Sequence, residues 1–114
     1  MADGSLDLFK GTLEVLILKA VSWGPVHGYE ISRWLRERSQ EAFQVEEGAL
    51  YPALRRLEKK GRLAAEWGTS RSGREAKFYE LTSEGRSQLT AQAATWERYV
   101  VAMGRILHAT VAPS

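Results

Sequence analysis

The sequence predicts a mainly α-helical fold with a small β-hairpin and a long C-terminal helix. Three observations predict it. Three segments in the N-terminal half carry apolar residues at helical spacing, the period then changes to the alternation of strands between Leu63 and Leu81, and a long amphipathic stretch follows Thr82. A chain of 114 residues has room for one compact domain with an appended element.

The first two helices are predicted over residues 12–22 and 28–38. Residues 12–22 are apolar nearly all round, which indicates a short buried helix with Thr12 as its N-cap. In residues 28–38 the apolar side chains recur at i, i+3 and i+4 from Ile31, with charged residues on the other side. The second helix is therefore amphipathic.

The third helix is predicted over residues 48–60. Its core face begins at Leu50, and Gly61 stands where a left-handed C-cap would be. Pro52 is compatible with a helix if it falls in the first turn, where backbone N–H groups have no intrahelical partner.

A β-hairpin with a positively charged tip follows. Residues 63–67 and 76–81 alternate as strands do, and the turn between them, residues 68–74, contains two glycines and two arginines. Thr82 then has the position of an N-cap, with Glu84 in the first turn of a helix that extends towards His108.

The long C-terminal helix carries a coiled-coil-like stripe, which predicts pairing with the same helix of a second subunit. Its apolar residues are spaced four and three apart: Leu89, Ala93, Trp96, Val100, Met103 and Leu107. One small domain has little to cover such a stripe, so we expect a homodimer.

Composition excludes several classes of protein. With 44% hydrophobic and 26% charged residues the chain is close to an average globular protein, and the absence of cysteine excludes disulfides, thiolate zinc sites and cysteine nucleophiles. The first eight residues carry Asp3 and Asp7 and lack the basic segment that precedes the apolar stretch of a signal peptide. The apolar stretch at residues 13–21 is interrupted by Glu14 and Lys19. We therefore expect a cytoplasmic protein without a membrane partner.

Positive charge is concentrated in one part of the chain. From Arg55 to Lys77 there are eight basic and three acidic residues, whereas the rest carries eight basic and eleven acidic ones. Such a block can neutralise the phosphates of a nucleic acid. An ordinary solvated face of mixed charge is the alternative, and charge alone does not decide between them.

Three helices followed by a hairpin, with the third helix entering the basic block, is the order of a winged helix-turn-helix domain. We expect it over residues 1–82, followed by the dimerisation helix and tail over residues 83–114. In such domains the second helix of the turn motif lies in the DNA major groove. The candidate DNA contacts are Tyr51, Arg55, Arg56, Lys59, Lys60, Arg71, Arg74 and Lys77.

The third helix has a polar, positively charged stripe opposite its core face. Tyr51, Arg55 and Lys59 form it at i, i+4 and i+8. Glu46 and Glu47 stand at the start of this helix, where their carboxylates oppose a phosphate that approaches the backbone N–H groups.

Four stretches of the chain together resemble the PadR family of bacterial transcriptional regulators. They are Gly11-Thr12-Leu13-Glu14 with Leu16-Ile17-Leu18, His27-Gly28-Tyr29-Glu30-Ile31, Gly48-Ala49-Leu50-Tyr51-Pro52-Ala53-Leu54 continuing through Arg56-Leu57-Glu58 to Gly61, and Phe78-Tyr79-Glu80-Leu81-Thr82 with Gly85. The resemblance implies a winged-helix DNA-binding domain, a dimer formed through the C-terminal helix and repression relieved by a small effector. The single C-terminal helix, without the extra helical domain of larger members, is similar to that of the compact members.

Two positions depart from the family's pattern. Ala49 stands where many relatives have Thr or Ser, and it cannot donate a hydrogen bond to a phosphate. Residues 73–77 replace a more basic, proline-containing wing tip. The missing hydroxyl at Ala49 and the acidic pair Glu46-Glu47 beside the third helix leave room for an alternative, a helical adaptor that binds another protein through residues 89–107 and has lost DNA binding.

The aromatic side chains have competing interpretations. Trp96 packs in the dimer seam or stacks on a planar aromatic effector, as the resemblance to compact members implies, and Val100 and Met103 would line the same space. Tyr79 and Trp34 are expected in the core. Trp23 and Trp67 are expected to be anchors at element ends.

Enzymatic and metal chemistry have little support. The two histidines, His27 and His108, form neither a zinc motif nor a catalytic dyad, and no nucleophile stands beside a base. His27 is expected to serve the start of the second helix or packing. We predict no cofactor, no metal and no enzymatic activity.

Overall fold

The computed structural model describes Leu8 and residues 11–114. The prediction drawn from Asp3 and Asp7 lies outside the described residues. In chain order the elements are α1 (Thr12–Ala20), β1 (Val26–His27), α2 (Gly28–Arg38), α3 (Glu47–Lys59), β2 (Leu63–Thr69), β3 (Glu75–Leu81) and α4 (Ser83–Leu107). The predicted fold class, mainly helical with a small antiparallel hairpin and a long last helix, is confirmed.

Two details at helix starts were predicted wrongly. α1 begins after Gly11, whose φ is 87°, and Thr12 is a buried first residue of the helix rather than its N-cap. α3 starts at Glu47, so Pro52 lies in the second turn and the helical bond to the Gly48 carbonyl is missing. Gly48 is exposed, which makes this loss tolerable because water can reach its carbonyl.

The turn between α2 and α3 is held by two serine side chains. Ser32 Oγ donates to the Val45 carbonyl at 2.9 Å, and Ser39 Oγ accepts from the Phe43 N–H at 2.9 Å. Gln40 and Glu41 have φ of 53° and 70°, values that few residues other than glycine adopt. These contacts set the relative position of the two helices of the helix-turn-helix.

The sheet has three antiparallel strands in the order β1-β3-β2. β2 and β3 form the predicted hairpin, with Leu63 opposite Leu81 and Trp67 opposite Lys77. β1 adds a third strand through Val26 and His27, which the sequence analysis missed because two residues show no alternation.

The core lies between α1, α2, α3 and the base of the hairpin. Its fully buried large side chains are Ile17, Leu18, Val21, Ile31, Leu50, Leu54 and Leu57. Tyr79 is buried and Trp34 packs against the core, as predicted. Trp23 and Trp67 are 69% and 64% exposed. Trp23 still packs its ring on Trp34 at 5.6 Å between centroids, whereas Trp67 makes no ring contact among the described residues, so the prediction of an anchor is wrong for Trp67.

Helix α4 is docked at its start and projects at its end. Thr82 is its N-cap, as predicted, and accepts the Gly85 N–H at 3.0 Å. The same hydroxyl donates to the Gly61 carbonyl at 2.6 Å, which joins the start of α4 to the turn after α3. Along the described part of the chain, no helix is both long and apolar enough to cross a membrane.

Candidate nucleic-acid interface

A groove of about 910 Å³ separates the start of α2 and the exposed face of α3 from the wing, the β2–β3 hairpin. Its lining carries an excess of positive charge: Arg33, Arg55, Arg71, Arg74 and Lys77 stand against the two carboxylates of Glu30 and Glu75. Segments far apart in the sequence thus contribute to one concave, positively charged surface, which suits a polyanion.

On the α3 side, Tyr51 and Arg55 line the groove. Tyr51 lies across the start of α2, where a Cβ built on Gly28 would come within 2.8 Å of its ring. Glycine at position 28 therefore makes room for this ring. Lys59, the third residue of the predicted stripe, is exposed but lies outside the groove lining.

Arg56 and Lys60 do not join this groove. Arg56 Nε donates to Glu14 Oε2 at 3.1 Å and Lys60 Nζ to Glu14 Oε1 at 3.3 Å, so both point towards α1. Burial acts to raise the pKa of the Glu14 carboxyl, but hydrogen bonds and positive charge from Arg56 and Lys60 outweigh it and lower that pKa. The structure thus divides the predicted basic residues of α3 between two faces.

The tip of the wing is an ordered turn. The Ser70 N–H donates to the Arg74 carbonyl at 2.8 Å and the Gly73 N–H to the Ser70 carbonyl at 2.9 Å, with Gly73 at a φ of 84°. Arg71 and Arg74 are exposed on this turn. They extend the positive surface beyond α3.

Lys77 lines the groove with its charge already paired. Its Nζ donates to Glu58 Oε1 at 3.1 Å and lies 5.7 Å from the centre of the Tyr79 ring. Burial raises the pKa of the Tyr79 hydroxyl above its ordinary value.

His27 has the helix-start role that was predicted. Its Nδ1 accepts the Glu30 N–H at 3.4 Å, and Glu30 Oε1 accepts the His27 N–H at 3.3 Å, which together form a capping box at α2. Among the residues that the structure describes, no three His, Cys, Asp or Glu side chains group as metal ligands would.

The sequence analysis missed Arg33, Tyr29 and Trp67 as parts of the groove. Arg33 stands on the exposed face of α2, 5.6 Å from the ring of Tyr29. The positions of Arg33 and Tyr29 in the groove depend on how α2 packs against β3. That packing cannot be recognised from the spacing of apolar residues along the sequence. Trp67 could have been flagged because it falls on the predicted core face of a strand whose end is near the polar tip.

The two halves of the predicted dimer seam on α4 differ in exposure. Leu89 and Ala93 are half-buried, and Leu89 packs against the core of its own chain. Beyond Trp96, which meets Tyr99 edge-on at 5.2 Å, the seam is open. Val100, Met103 and Leu107 are 60%, 43% and 70% exposed.

A winged helix-turn-helix whose exposed α3 face and wing share a positively charged groove defines a class of DNA-binding regulators. Residues 17–91 match the model of the "Transcriptional regulator PadR-like family". The chain belongs to this family, as the sequence resemblance indicated. The family consists of transcriptional regulators rather than enzymes, which agrees with the prediction that the chain is not an enzyme.

Two protein sequences show the likeness. An uncharacterized protein of Lysinibacillus sphaericus is 34% identical over 90 residues, which cover 79% of this chain and 83% of that protein. A transcriptional regulator of Mycobacterium tuberculosis is 35% identical over 82 residues, 71% of this chain and 72% of that one.

Solved structures show the same fold. A PadR-like regulator from Bacillus cereus superposes with a TM-score of 0.77 at 31% identity, over 88% of this chain and 95% of that one. Bacillus subtilis PadR in complex with operator DNA superposes with a TM-score of 0.64 at 25% identity, over 71% of this chain and 46% of that one.

Proposed function

We propose that the chain is a homodimeric, sequence-specific repressor that binds an inverted-repeat operator in double-stranded DNA. The groove between α3 and the wing carries this proposal, since Arg55 of α3 and the wing-tip pair Arg71 and Arg74 come from two separate segments and line one surface. The similarity to a PadR structure that holds operator DNA supports it.

Within this proposal the groove residues have different tasks. Arg55 and Tyr51 on the exposed face of α3 contact base edges in the major groove, because the second helix of the turn motif enters it. Arg71 and Arg74 contact phosphates from the wing. Lys77 can exchange its ion pair with Glu58 for a phosphate at low cost, because the Glu58 side chain is 36% exposed and water can solvate it, unlike that of Glu14. Lys59 contributes a phosphate contact at the end of α3.

Arg56 and Lys60 are given a different task from the one the sequence predicted. Both are ion-paired with Glu14. If they turned towards DNA, the partly buried Glu14 carboxylate would lose its positively charged partners, which is costly. We assign them to holding α3 on α1 rather than to contacting DNA.

The dimer would form through the open half of the α4 seam. Val100, Met103 and Leu107 present an apolar stripe that a second α4 covers by the same contacts in reverse. A two-fold axis then places two α3 helices on half-sites about one helical turn, or a small multiple, apart.

A small planar aromatic effector would act at this seam. Trp96 is half-buried beside Tyr99, and Val100 and Met103 extend the apolar surface from it. A flat ligand stacked on Trp96 would change how the two α4 helices cross, and thereby the distance between the two α3 helices.

The test begins with capture of genomic fragments by the wild-type chain. The captured fragment and a scrambled duplex are then titrated at several salt concentrations. A DNA-binding regulator loses affinity steeply as salt rises, whereas a protein adaptor has no duplex affinity to lose.

The Arg55→Ala variant tests whether the groove is the surface that binds DNA. Its affinity for the operator should fall by roughly 1–3 kcal/mol if Arg55 contacts a base, with discrimination reduced at that position. Arg98→Ala removes an exposed arginine from α4 and is the matched control. Equal affinity of Arg55→Ala and wild type on both duplexes would place Arg55 outside the interface.

A further inference from the structure

We propose that Trp67 is a DNA contact of the wing: its indole packs on a deoxyribose of the duplex backbone and strengthens binding without adding charge. This inference rests on the proposed function. It adds a residue that the sequence analysis had assigned to packing and that carries no positive charge.

The position of Trp67 follows from the register of the hairpin. Leu63 pairs with Leu81, Ala65 with Tyr79 and Trp67 with Lys77. Because side chains alternate along a strand, these residues share the face of the hairpin that is turned towards the core.

The core ends between the second and third of these pairs. Tyr79 is 4% exposed, whereas Trp67, one pair nearer the tip, is 64% exposed. A large apolar side chain therefore continues the core face past the end of the core.

The groove around Trp67 carries more positive than negative charge, with Glu30 and Glu75 as its two carboxylates. It lines the groove together with Arg55, Arg71 and Arg74, and Lys77 lies directly opposite it on β3. Positive side chains around a flat apolar ring fit a backbone in which phosphates alternate with apolar sugar faces.

Exposure alone does not distinguish Trp67, since single exposed apolar residues are common on protein surfaces. Trp23 is equally exposed, but its ring lies 5.6 Å from that of Trp34 and 4.6 Å from Lys19 Nζ. Within the described residues, Trp67 has no such ring or cation partner. Its face is free for a ligand in the groove.

The chemistry predicts a specific signature. A positive side chain that neutralises a phosphate releases a counterion and steepens the salt dependence of binding, whereas an aromatic contact releases none. Loss of Trp67 should therefore lower affinity at every salt concentration by the same factor.

The experiment measures duplex affinity against salt for wild type, Trp67→Ala, Trp67→Phe and Trp23→Ala. Trp67→Ala should bind both the operator and a scrambled duplex about tenfold more weakly, with the salt slope of wild type. Trp67→Phe should keep most of the affinity and Trp23→Ala all of it. Arg74→Ala, in contrast, should reduce the slope by about one.

Tryptophan emission gives an independent readout. Duplex DNA should change the emission of wild type and of Trp23→Phe but leave that of Trp67→Phe almost unchanged. Circular dichroism and melting of Trp67→Ala should match wild type, because the side chain contacts little of the fold.

Failure of the Trp67 proposal and failure of the proposed function give different results. If wild type binds the operator and Trp67→Ala binds it equally well, Trp67 is not a contact and the proposed function stands. A changed salt slope in Trp67→Ala would show an indirect effect on neighbouring charges and would overturn the proposal. If wild type binds no duplex, both proposals are wrong.

Discussion

At position 85, the backbone of the turn after α3 leaves room for the hydrogen atom of glycine but not for a methyl group. A Cβ built at this position overlaps the Arg62 carbonyl oxygen and lies 3.1 Å from Leu81 Cδ2. Thr82 holds the same place through its hydrogen bonds to Gly61 and Gly85. The Leu-Thr-x-x-Gly sequence therefore docks α4 on the turn after α3.

Gly85→Ala should lower the free energy of unfolding by about 2 kcal/mol or more, because backbone rather than a flexible side chain blocks the new methyl group. Gly104→Ala, further along the same helix, meets only an ordinary contact at 3.7 Å and should stabilise by roughly 0.5–1 kcal/mol. Urea unfolding of both variants checks this. A Gly85→Ala protein as stable as wild type would mean that α4 does not pack this closely.

Single residues also show where local sequence signals suffice. Thr82 and His27 cap helices as predicted because a cap needs only its own neighbours. Thr12 does not, since Gly11 takes the left-handed conformation and Thr12 is buried as the first residue of α1. Whether a threonine at a helix start caps the helix or is buried depends on the residues that pack on it, and these are distant in the sequence.

At the scale of elements, Glu14 joins α1 to α3. Its side chain is 16% exposed and receives both Arg56 and Lys60. Because these two bonds lower the pKa of the carboxyl in the folded state, ionised Glu14 contributes stability at neutral pH. That contribution is lost as pH falls through this pKa, which lies below the ordinary value for glutamate.

Glu14→Gln should cost about 1 kcal/mol of stability at neutral pH, with the gap to wild type closing on acidification. The measurement is urea unfolding at a series of pH values between neutral and strongly acidic. Glu37→Gln, in an exposed position on α2 without an ion pair among the described residues, is the control and should follow wild type. A gap of constant size at all pH values would show that the charge of Glu14 is not what stabilises the contact.

At the scale of the whole molecule, the open half of α4 is a large apolar surface that the described part of one chain leaves uncovered. The chain extends 62 Å along its longest axis, and the last turns of α4 carry Val100, Met103, Ile106 and Leu107 in exposed positions. Exposed apolar stripes of this kind mark association surfaces.

Val100→Glu should convert the proposed dimer into monomers and reduce operator affinity at least about a hundredfold, because the two half-sites are then bound independently. Ala94→Glu introduces the same charge at an exposed position about 120° round α4 from Val100, outside the predicted seam, and should leave the dimer intact. Sedimentation velocity with matched gel shifts measures both effects. A Val100→Glu protein that still sediments as a dimer would place the interface elsewhere.

By itself, the sequence determined the order and type of all elements longer than two residues, the wing and its charge, and the family resemblance. Periodicity, caps and turn residues act over a few neighbours, so they can be recognised along the chain. Only the tertiary structure decided which basic residues share a surface. Arg55 and Arg56 are neighbours in sequence, yet one lines the groove and the other meets Glu14, which is 42 residues away in the chain. Trp67 is exposed for the same reason, since the core it would continue ends with Tyr79, and the extent of a core depends on packing between distant segments.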